Sequence, residues 1–321
     1  MENQNQTPHK RRVRYKGKYP KKFEEKYKEL QPEKYKDTIE HVIQKGNTPA
    51  GMHISIMVKE IIDFLNIQPG ETGFDATLGY GGHTKAMLQC LNGKGHIYAT
   101  DVDPEESAKT KKRLAEQGFG EDMLTVKLQN FCTIDEIAKE VGGFDFILAD
   151  LGVSSMQIDN PKRGFSFKTD GPLDLRLNQE AGISAAERLD TISRDELAGM
   201  LYENSDEPYC EELAKAITDE IRRGNRIDTT TKLRQVIEKT LDFLPEKEKK
   251  DTIKKTCQRT FQALRIDVNR EFEVLYEFME KLPDALRPGG RVAILTFHSG
   301  EDKLVKKALK EGYKAGIYSD Y

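Results

Sequence analysis

The feature that most constrains the fold is the alternation of short apolar segments with helical ones in the first half of the chain. The stretches "TGFDATLG", "GHIYATDVD", "MLTVKLQNF" and "FDFILADLG" have the character of strands. Helix-like stretches such as "SIMVKEIIDFL", "HTKAMLQCL" and "SAKTKKRLAEQ" separate them, and a fifth strand pattern, "RVAILTFHS", lies near the C-terminal end. Because alternating strands and helices form parallel sheets with helices on both faces, the sequence predicts an α/β fold.

The strand pattern stops between about residue 158 and residue 250. Three helical stretches lie there, "SRDELAGMLYEN", "YCEELAKAITDEIRRG" and "TTTKLRQVIEKTLDFL", and the threonines from Thr229 to Thr231 offer an N-cap for the last. We therefore expect a helical domain at 158–250, inserted into an α/β domain formed by 46–157 and 251–321.

The stretch "FQALRIDVNREFEVLYEFMEKL" has apolar residues three and four positions apart. This spacing predicts one apolar face on a single long helix. The residues of that face are Phe261, Leu264, Val268, Phe272, Leu275, Met279 and Leu282.

Composition limits the cellular setting. The chain has 321 residues, of which 37% are hydrophobic, enough for one large core or two moderate ones. Its apolar runs are too short to span a bilayer, and its N-terminus has no apolar secretory region. The cysteines are scattered without a Cys-x-x-Cys pair, which argues against a disulfide framework or structural zinc and fits a reducing cytosol. They are Cys90, Cys132, Cys210 and Cys257.

Residues 1–45 form a basic extension on an acidic body. They contain 13 Lys and Arg against 7 Asp and Glu, whereas the remainder contains 38 against 47. Aromatic residues recur among the positive charges, at Tyr15, Tyr19, Phe23 and Tyr27. Two interpretations stay open: a nucleic-acid-binding arm with stacking rings, or a solvated, flexible extension.

The loop "DATLGYGGHT" follows the first predicted strand, where α/β proteins bind nucleotide-like cofactors. Gly79 and Gly81 fit the dinucleotide pattern Gly-x-Gly-x-x-Gly, but Thr84 holds its third glycine position. An acid before the glycines, Asp75, suits a zwitterionic amino-acid group such as that of S-adenosylmethionine. Asp101 ends the second strand, where a carboxylate can accept both ribose hydroxyls of an adenosine. NAD binding and a purely structural glycine turn remain the alternatives.

A second cluster follows the fourth strand. Asp150 lies at the ligand-binding edge of the sheet, with Ser154 and Ser155 close behind it in the chain. An aromatic and arginine cluster comes next, and it could stack on and hold a flipped base, although core packing is the simpler role for a single aromatic residue. Its members are Arg163, Phe165, Phe167, Asp174 and Arg176.

A third cluster, "TFHSGED", contains His298 at the end of the fifth predicted strand. A histidine there can hold a structural hydrogen bond or help to position a substrate. The sequence has no second histidine at ligand spacing nearby, so we expect no metal site.

Taken in order, eight motifs resemble those of the MraW/RsmH family of bacterial methyltransferases. They are "DATLGYGGHT", "DVDP", "NF", "DLGVSSMQID", "RGFSF", "GPLDLRL", "FQALRIDVNRE" and "FHSGED", and they cover roughly residues 53–307. The resemblance implies a Rossmann-like, S-adenosylmethionine-dependent methyltransferase sheet with an inserted all-helical domain. It further implies methylation of the exocyclic amine of one cytosine in 16S ribosomal RNA, a small-subunit RNA or particle as partner, and action in the cytoplasm, without a membrane. A homodimer is compatible with it.

The resemblance also assigns site residues. It implies cofactor contacts at Gly81, Gly82, His83, Asp101, Phe131, Asp150 and Gln157. For catalysis we expect Asp150, or a carbonyl just after it, to accept a hydrogen bond from the amine, with His298 as a second candidate. The chain departs from the family at "SDEP" in the helical part and at Gly300. These departures leave two alternatives: an RNA-binding assembly factor that retains the fold without catalysis, or methylation of another nucleobase or a protein.

Overall fold

The computed structural model describes residues 55–320 and shows a five-stranded sheet in which each neighbouring pair of strands is parallel. The strand order is β3-β2-β1-β4-β5. In chain order the strands are β1 (Thr72–Asp75), β2 (His96–Asp101), β3 (Leu124–Leu128), β4 (Phe144–Asp150) and β5 (Leu286–Leu295). The predicted α/β fold is therefore confirmed. The basic extension at 1–45, with its aromatic residues, lies outside the described residues.

Twelve α-helices lie within residues 55–320. In chain order they are α1 (Val58–Leu65), α2 (Gly82–Leu91), α3 (Pro104–Glu116), α4 (Ile134–Val141), α5 (Ser155–Asp159), α6 (Ala185–Thr191), α7 (Arg194–Ser205), α8 (Cys210–Arg222), α9 (Thr230–Thr240), α10 (Glu246–Asn269), α11 (Glu271–Ala285) and α12 (Ser299–Lys314). Thr229 caps α9, because its hydroxyl accepts the Lys232 amide N–H at 3.2 Å, as the threonine run predicted. None of these helices has the length and apolarity to cross a membrane.

Both faces of the sheet are covered. Helices α1, α2 and α3 bury side chains such as Leu65 and Met87 against one face, and α4, α11 and α12 bury Phe278 and others against the opposite face. Within β4, Phe146 and Leu148 face the first group of helices, whereas Ile147 and Ala149 face the second. A strand buried on both faces is apolar throughout, and this explains the continuous "FDFILA" pattern.

The remaining helices enclose a separate hydrophobic core. It is formed by α6 to α10 and the segment that precedes them, from Phe165 to Leu264. Its side chains on α10, Cys257 and Phe261 among them, lie beyond residue 250, where we expected the inserted domain to end. The division of the chain into two domains stays a prediction.

The single long helix predicted for 261–282 is wrong. Arg270 has a left-handed backbone, with φ of 51°, and it separates α10 from α11. The apolar stripe consequently serves two cores: Phe261 and Leu264 pack in the helical region, and Leu275 and Met279 pack under the sheet. Periodicity cannot reveal such a break, because spacing of three and four continues across it.

Candidate functional site

Three acidic residues end neighbouring strands and meet at the carboxyl edge of the sheet. Asp75 ends β1, Asp101 ends β2 and Asp150 ends β4. Asp75 is fully buried and its oxygens accept the Thr84 hydroxyl at 2.6 Å and the Thr77 amide at 3.1 Å. Burial raises the pKa of Asp75, although these hydrogen bonds oppose the change. Asp75 therefore braces the glycine loop from within, and Asp101 and Asp150 remain the carboxylates that can face a ligand.

The three glycines of the loop have different surroundings. A Cβ at Gly81 would lie 2.7 Å from Thr110 Cγ2, and one at Gly82 would lie 2.2 Å from the Ser55 hydroxyl oxygen. At Gly79 the nearest such atom is the Thr77 carbonyl oxygen, at 3.8 Å. Packing and a left-handed backbone thus favour glycine at 81, whereas a Cβ at 82 would displace only the Ser55 side chain. Among the three glycines, only Gly79 has an open α-carbon for a ligand to approach.

Helix α2 begins at this loop and presents its first amide groups toward the carboxyl edge. Gly81 is its N-cap residue, with φ of 77°, and within the described residues no side chain caps the helix. Amide N–H groups in an uncapped first turn can bind an anionic ligand group, and the helix dipole favours that charge. The backbone of Gly82 and His83, rather than their side chains, is thereby the part of the loop suited to hold a carboxylate.

Asp101 is positioned by the backbone on both sides of it. Its Oδ2 accepts the Gly79 amide at 2.8 Å, and its Oδ1 accepts the Asp103 amide at 2.9 Å. Burial raises the pKa of Asp101 to about 6, against the effect of these hydrogen bonds. A carboxylate with two fixed N–H partners still has lone pairs for two further donors, as paired ribose hydroxyls require.

Buried His83 and partly buried Asp150 form a pair beside the loop. His83 Nε2 lies 2.8 Å from the Ile56 carbonyl oxygen, and its Nδ1 lies 3.4 Å from Asp150 Oδ2. Because a carbonyl can only accept, Nε2 carries a proton, and a second proton on Nδ1 would face the carboxylate. Burial works against the charged ring, but Asp150 and Ile56 outweigh it and raise the pKa of His83.

The other oxygen of Asp150, Oδ1, is buried and has no hydrogen-bond partner among the described residues, a property that it shares with the ring nitrogens of His298. The Asp150 backbone is fixed by donation of its N–H to the Thr77 hydroxyl at 2.7 Å. A buried carboxylate oxygen without a donor is costly to a protein, so it indicates an atom kept for a ligand.

The predicted base-holding cluster is engaged in internal contacts. Arg163 is buried, donates to Asp103 Oδ2 at 2.7 Å and binds the Leu177 carbonyl at 2.6 Å. Arg176 forms a two-pronged ion pair with Asp174, at 2.8 and 2.9 Å. These arginines tie loops together, and their guanidinium groups do not stand free toward a substrate.

The aromatic members of that cluster also face inward. Phe165 is 8% exposed and belongs to the helical core, and Phe167 packs on Phe261 with ring centroids 5.8 Å apart. Phe131, expected at the adenine, follows β3 and is half-buried, edge-on to Phe278 with ring centroids 5.2 Å apart. The accessible part of the Phe131 ring stays available to a cofactor, whereas Phe165 presents no open face.

The segment after β4 is closed by local caps. The Ser154 hydroxyl accepts the Gln157 amide, and Gln157 Oε1 accepts the Ser154 amide at 2.9 Å, which starts the short helix α5 at Ser155. Gln157 Nε2 also lies 3.3 Å from Asp103 Oδ2. Asp103 therefore joins the loop after β2 to the segment after β4. The signal for Asp103 in the sequence was the helix start "DP" within "DVDP".

His298 lies beyond the strand that was expected to carry it. β5 ends at Leu295, and His298 is the N-cap residue of α12, with its ring 5.7 Å from that of Phe272. Phe272 also fills the space beside Gly300, where an added Cβ would lie 2.6 Å from the ring. The departure from the family pattern at residue 300 is thus matched by an aromatic side chain from α11.

Glu271, His298 and Glu301 are close enough for their donor atoms to surround a cation, all within 4.8 Å of one another. Both oxygens of Glu271, however, bind the Arg265 guanidinium at 2.8 Å. Glu301 Oε2 accepts the Phe297 amide at 2.9 Å, and its Oε1 lies 3.2 Å from His298 Nε2. The arginine already supplies the positive charge that this acidic pair needs.

Comparison with known proteins adds the family context. The sequence profile of the MraW methylase family matches residues 50–318. The chain is 88% identical over 313 residues to "Ribosomal RNA small subunit methyltransferase H 1" of Agathobacter rectalis, which covers 98% of this chain and 90% of that protein. It is 70% identical over 318 residues to the protein of the same name from Lachnoclostridium phytofermentans, covering 99% and 87%. A more distant relative, "Ribosomal RNA small subunit methyltransferase H" of Acidobacterium capsulatum, is 37% identical over 270 residues, covering 83% and 88%.

Proposed function

The chain belongs to the MraW methylase family, and we propose that it transfers a methyl group from S-adenosylmethionine to the exocyclic amine of a cytosine in 16S ribosomal RNA. The single observation that carries the chemical part is Asp150 Oδ1, a buried acceptor without a donor at the carboxyl edge of the sheet. Its partner in the reaction is the amine, a donor that gains positive charge as it attacks.

The cofactor side of the site fits S-adenosylmethionine residue by residue. The amides that open α2, at Gly82 and His83, suit its carboxylate, and the open α-carbon of Gly79 leaves room above the loop. Asp101 can accept the ribose hydroxyls, and the half-buried ring of Phe131 can pack on the adenine. The bound cofactor supplies an electrophilic methyl group on a sulfonium sulfur.

On the acceptor side, the protein must align and deprotonate a weak nucleophile. The lone pair of a cytosine amine is delocalised into the ring, so in-line placement of nitrogen, carbon and sulfur contributes much of the rate. Asp150 Oδ1 accepts a hydrogen bond from the amine N–H, and this bond strengthens as the nitrogen becomes positive. The same oxygen then takes the proton that the nitrogen releases. The new N–C bond replaces the C–S bond, and S-adenosylhomocysteine leaves.

His83 acts through Asp150 in this proposal. Its ring is fixed by the Ile56 carbonyl, and it holds Asp150 Oδ2 so that Oδ1 points away from it. The His83 ring thereby leaves Asp150 Oδ1 as the oxygen that can accept a hydrogen bond from the amine. His83 is therefore a positioning residue, and the sequence resemblance alone gave it only a cofactor contact.

The target base must leave its stack to reach Asp150, as in other enzymes that act on bases. The helical region at residues 165–264 is the proposed opposing wall of an RNA cleft.

The cytoplasm, where small-subunit RNA is assembled with protein, is the proposed place of action. Sedimentation equilibrium of the full chain tests whether a homodimer forms.

The decisive assay is methyl transfer to small-subunit RNA from cells that lack this protein. With labelled S-adenosylmethionine, nucleoside mass spectrometry should find the methyl group on the exocyclic amine of cytidine. A labelled methyl on another nucleoside would replace the proposed acceptor, and a protein-bound label would remove RNA as the substrate.

Asp150→Asn should then lower kcat by roughly 10²–10⁴-fold, because the amide cannot accept the released proton. Calorimetry should show that the variant still binds S-adenosylmethionine. Asp63→Asn, an exposed change on α1, is the matched control and should leave the rate unchanged. Transfer by Asp150→Asn at near the wild-type rate would refute the role of Asp150.

A further inference from the structure

Phe297 is an exposed aromatic side chain at the carboxyl edge of the sheet, and the sequence alone did not single it out. Its side chain is 57% exposed, although it is a large hydrophobic residue on a short loop between β5 and α12. The loop follows Leu295, which pairs with Asp150 across the sheet. Phe297 therefore projects from the strand end beside the acceptor carboxylate.

The ring lies against the segment that follows Asp150. Gly152 has φ of +89°, and a Cβ there would lie 3.6 Å from Phe297 Cδ2. The Leu151 amide donates to the Leu295 carbonyl at 3.1 Å, which joins the two loops at their base. With hydrogen in place of a side chain at 152, one side of the ring rests on backbone and the rest is left open.

The protein holds this loop in place with a buried charge. Glu301 is 3% exposed, and its Oε2 accepts the Phe297 amide at 2.9 Å. Burial favours the neutral acid, but the nearby His298 ring and the hydrogen bond from the Phe297 amide outweigh it and lower the pKa of Glu301. Arg265, paired with Glu271, adds a favourable charge nearby. A solvent-exposed ring on such a fixed backbone is preorganised to receive a partner.

Other aromatic residues at this edge have partners of their own. Phe165 is buried, Phe167 packs on Phe261, and the Tyr80 ring is covered by the Arg113 guanidinium at 3.6 Å. A cytosine brought to Asp150 presents a flat π-face that needs a flat apolar surface. Stacking of a base on an aromatic side chain contributes about 1–3 kcal/mol.

We propose that the Phe297 ring is the stacking surface for the target base, which it holds with its amine toward Asp150. This proposal rests on the proposed function, because it takes the acceptor to be a nucleobase. It assigns the base-stacking role to the loop after β5 and leaves the "RGFSF" aromatics to the core of the helical region.

The first test uses kinetics. Phe297→Leu should lower kcat/KM for ribosomal RNA by roughly 10–100-fold, which corresponds to the stacking contribution. Phe297→Tyr should retain most of the activity because it keeps the ring, and both variants should bind S-adenosylmethionine as the wild type does. Phe64→Leu is the matched control, since Phe64 is 61% exposed on α1, whose end contacts Arg291 at the start of the sheet. Equal kcat/KM for Phe297→Leu and wild type would overturn the proposal.

The second test does not depend on turnover. The sequence contains no tryptophan, so a Phe297→Trp variant carries a single fluorophore at this position. Small-subunit RNA added with S-adenosylhomocysteine should quench its emission, whereas a Phe64→Trp variant should show no comparable change. RNA binding followed independently by anisotropy, without quenching at 297, would refute stacking. Quenching without methyl transfer by the wild type would instead refute the proposed reaction and leave the base-binding surface standing.

Discussion

At the carboxyl edge of the sheet, a carboxylate oxygen remains without a donor from the described residues, whereas the arginines of the segment 163–176 form ion pairs with protein carboxylates. Asp150 Oδ1 lacks a donor among the described residues, and Asp101 has room for two more. By contrast, Arg163 is buried on Asp103, and Arg176 is bidentate on Asp174. Two sets of residues that look equally functional in the sequence thus differ in what they have left to bind.

The contrast teaches that a motif of charged and aromatic residues can mark a structural joint as well as a binding surface. Arg163 lies in the segment that precedes the helical region, and its ion pair with Asp103 connects this segment to the loop after β2. Because Asp103 also starts α3 by accepting the Glu105 and Glu106 amides, the joint reaches the element behind Asp101. Damage to the joint should therefore act on stability, and damage at the sheet edge on ligand binding.

The largest expected effect concerns the Arg163–Asp103 pair. Arg163→Met should lower the free energy of unfolding by roughly 3–5 kcal/mol, because a buried carboxylate loses its cation. Denaturant titration measures this loss. Arg226→Met, which breaks an exposed pair with Asp190, should cost less than about 1 kcal/mol.

A double variant, Arg163→Met with Asp103→Asn, separates the charge from the packing. It should recover much of the stability, since asparagine still caps a helix and carries no charge. If Arg163→Met unfolds like the wild type but fails to methylate RNA, Arg163 is a substrate residue and the contrast between the two regions breaks.

The next prediction concerns pH and the cofactor. The pKa of Asp101 stands at about 6 in the free protein, above its ordinary value, and hydrogen bonds from ribose hydroxyls would favour the ionised form and lower it. Binding then releases a proton, so S-adenosylmethionine affinity should fall as pH drops through 6, by up to roughly tenfold per pH unit.

Calorimetry between pH 5 and pH 8 measures this profile. Asp101→Asn should bind more weakly at pH 8 and lose most of the pH dependence. The pKa of His83 is also raised, but His83 is present in both proteins, so the difference between the two profiles reports on Asp101. The same slope in Asp101→Asn would assign the titration to another group.

The smallest expected effects separate the loop glycines. Gly81→Ala should cost roughly 1–3 kcal/mol of stability, because the added methyl meets Thr110 and Leu114. Gly79→Ala should cost roughly 1 kcal/mol, from its left-handed backbone alone. The affinity for S-adenosylmethionine should nevertheless fall more in Gly79→Ala than in Gly81→Ala, because the α-carbon of Gly79 faces open space. Thermal unfolding and calorimetry on both variants check the two halves of this prediction, and equal affinities would show that the ligand does not approach residue 79.

Much of the fold followed from local patterns. Apolar runs that end in an acidic residue predicted the strands. Asp75, Asp101 and Asp150 lie at the same carboxyl edge because parallel strands end on the same side of the sheet. The broken helix at Arg270 could not be seen in the same way, since a left-handed residue there leaves the apolar spacing intact. The pairing of Phe272 with Gly300 was equally hidden, because the two lie on different helices.

The sequence by itself determined the parallel sheet, the acidic strand ends and the family, because strand periodicity and motif order are written in local residue choice. Only the tertiary structure decided which functional-looking side chains remain open. Phe165 and Phe297 are both phenylalanines in recognisable motifs, yet one is buried and the other is 57% exposed. Exposure depends on what distant segments pack against a residue, and that information belongs to the folded chain as a whole.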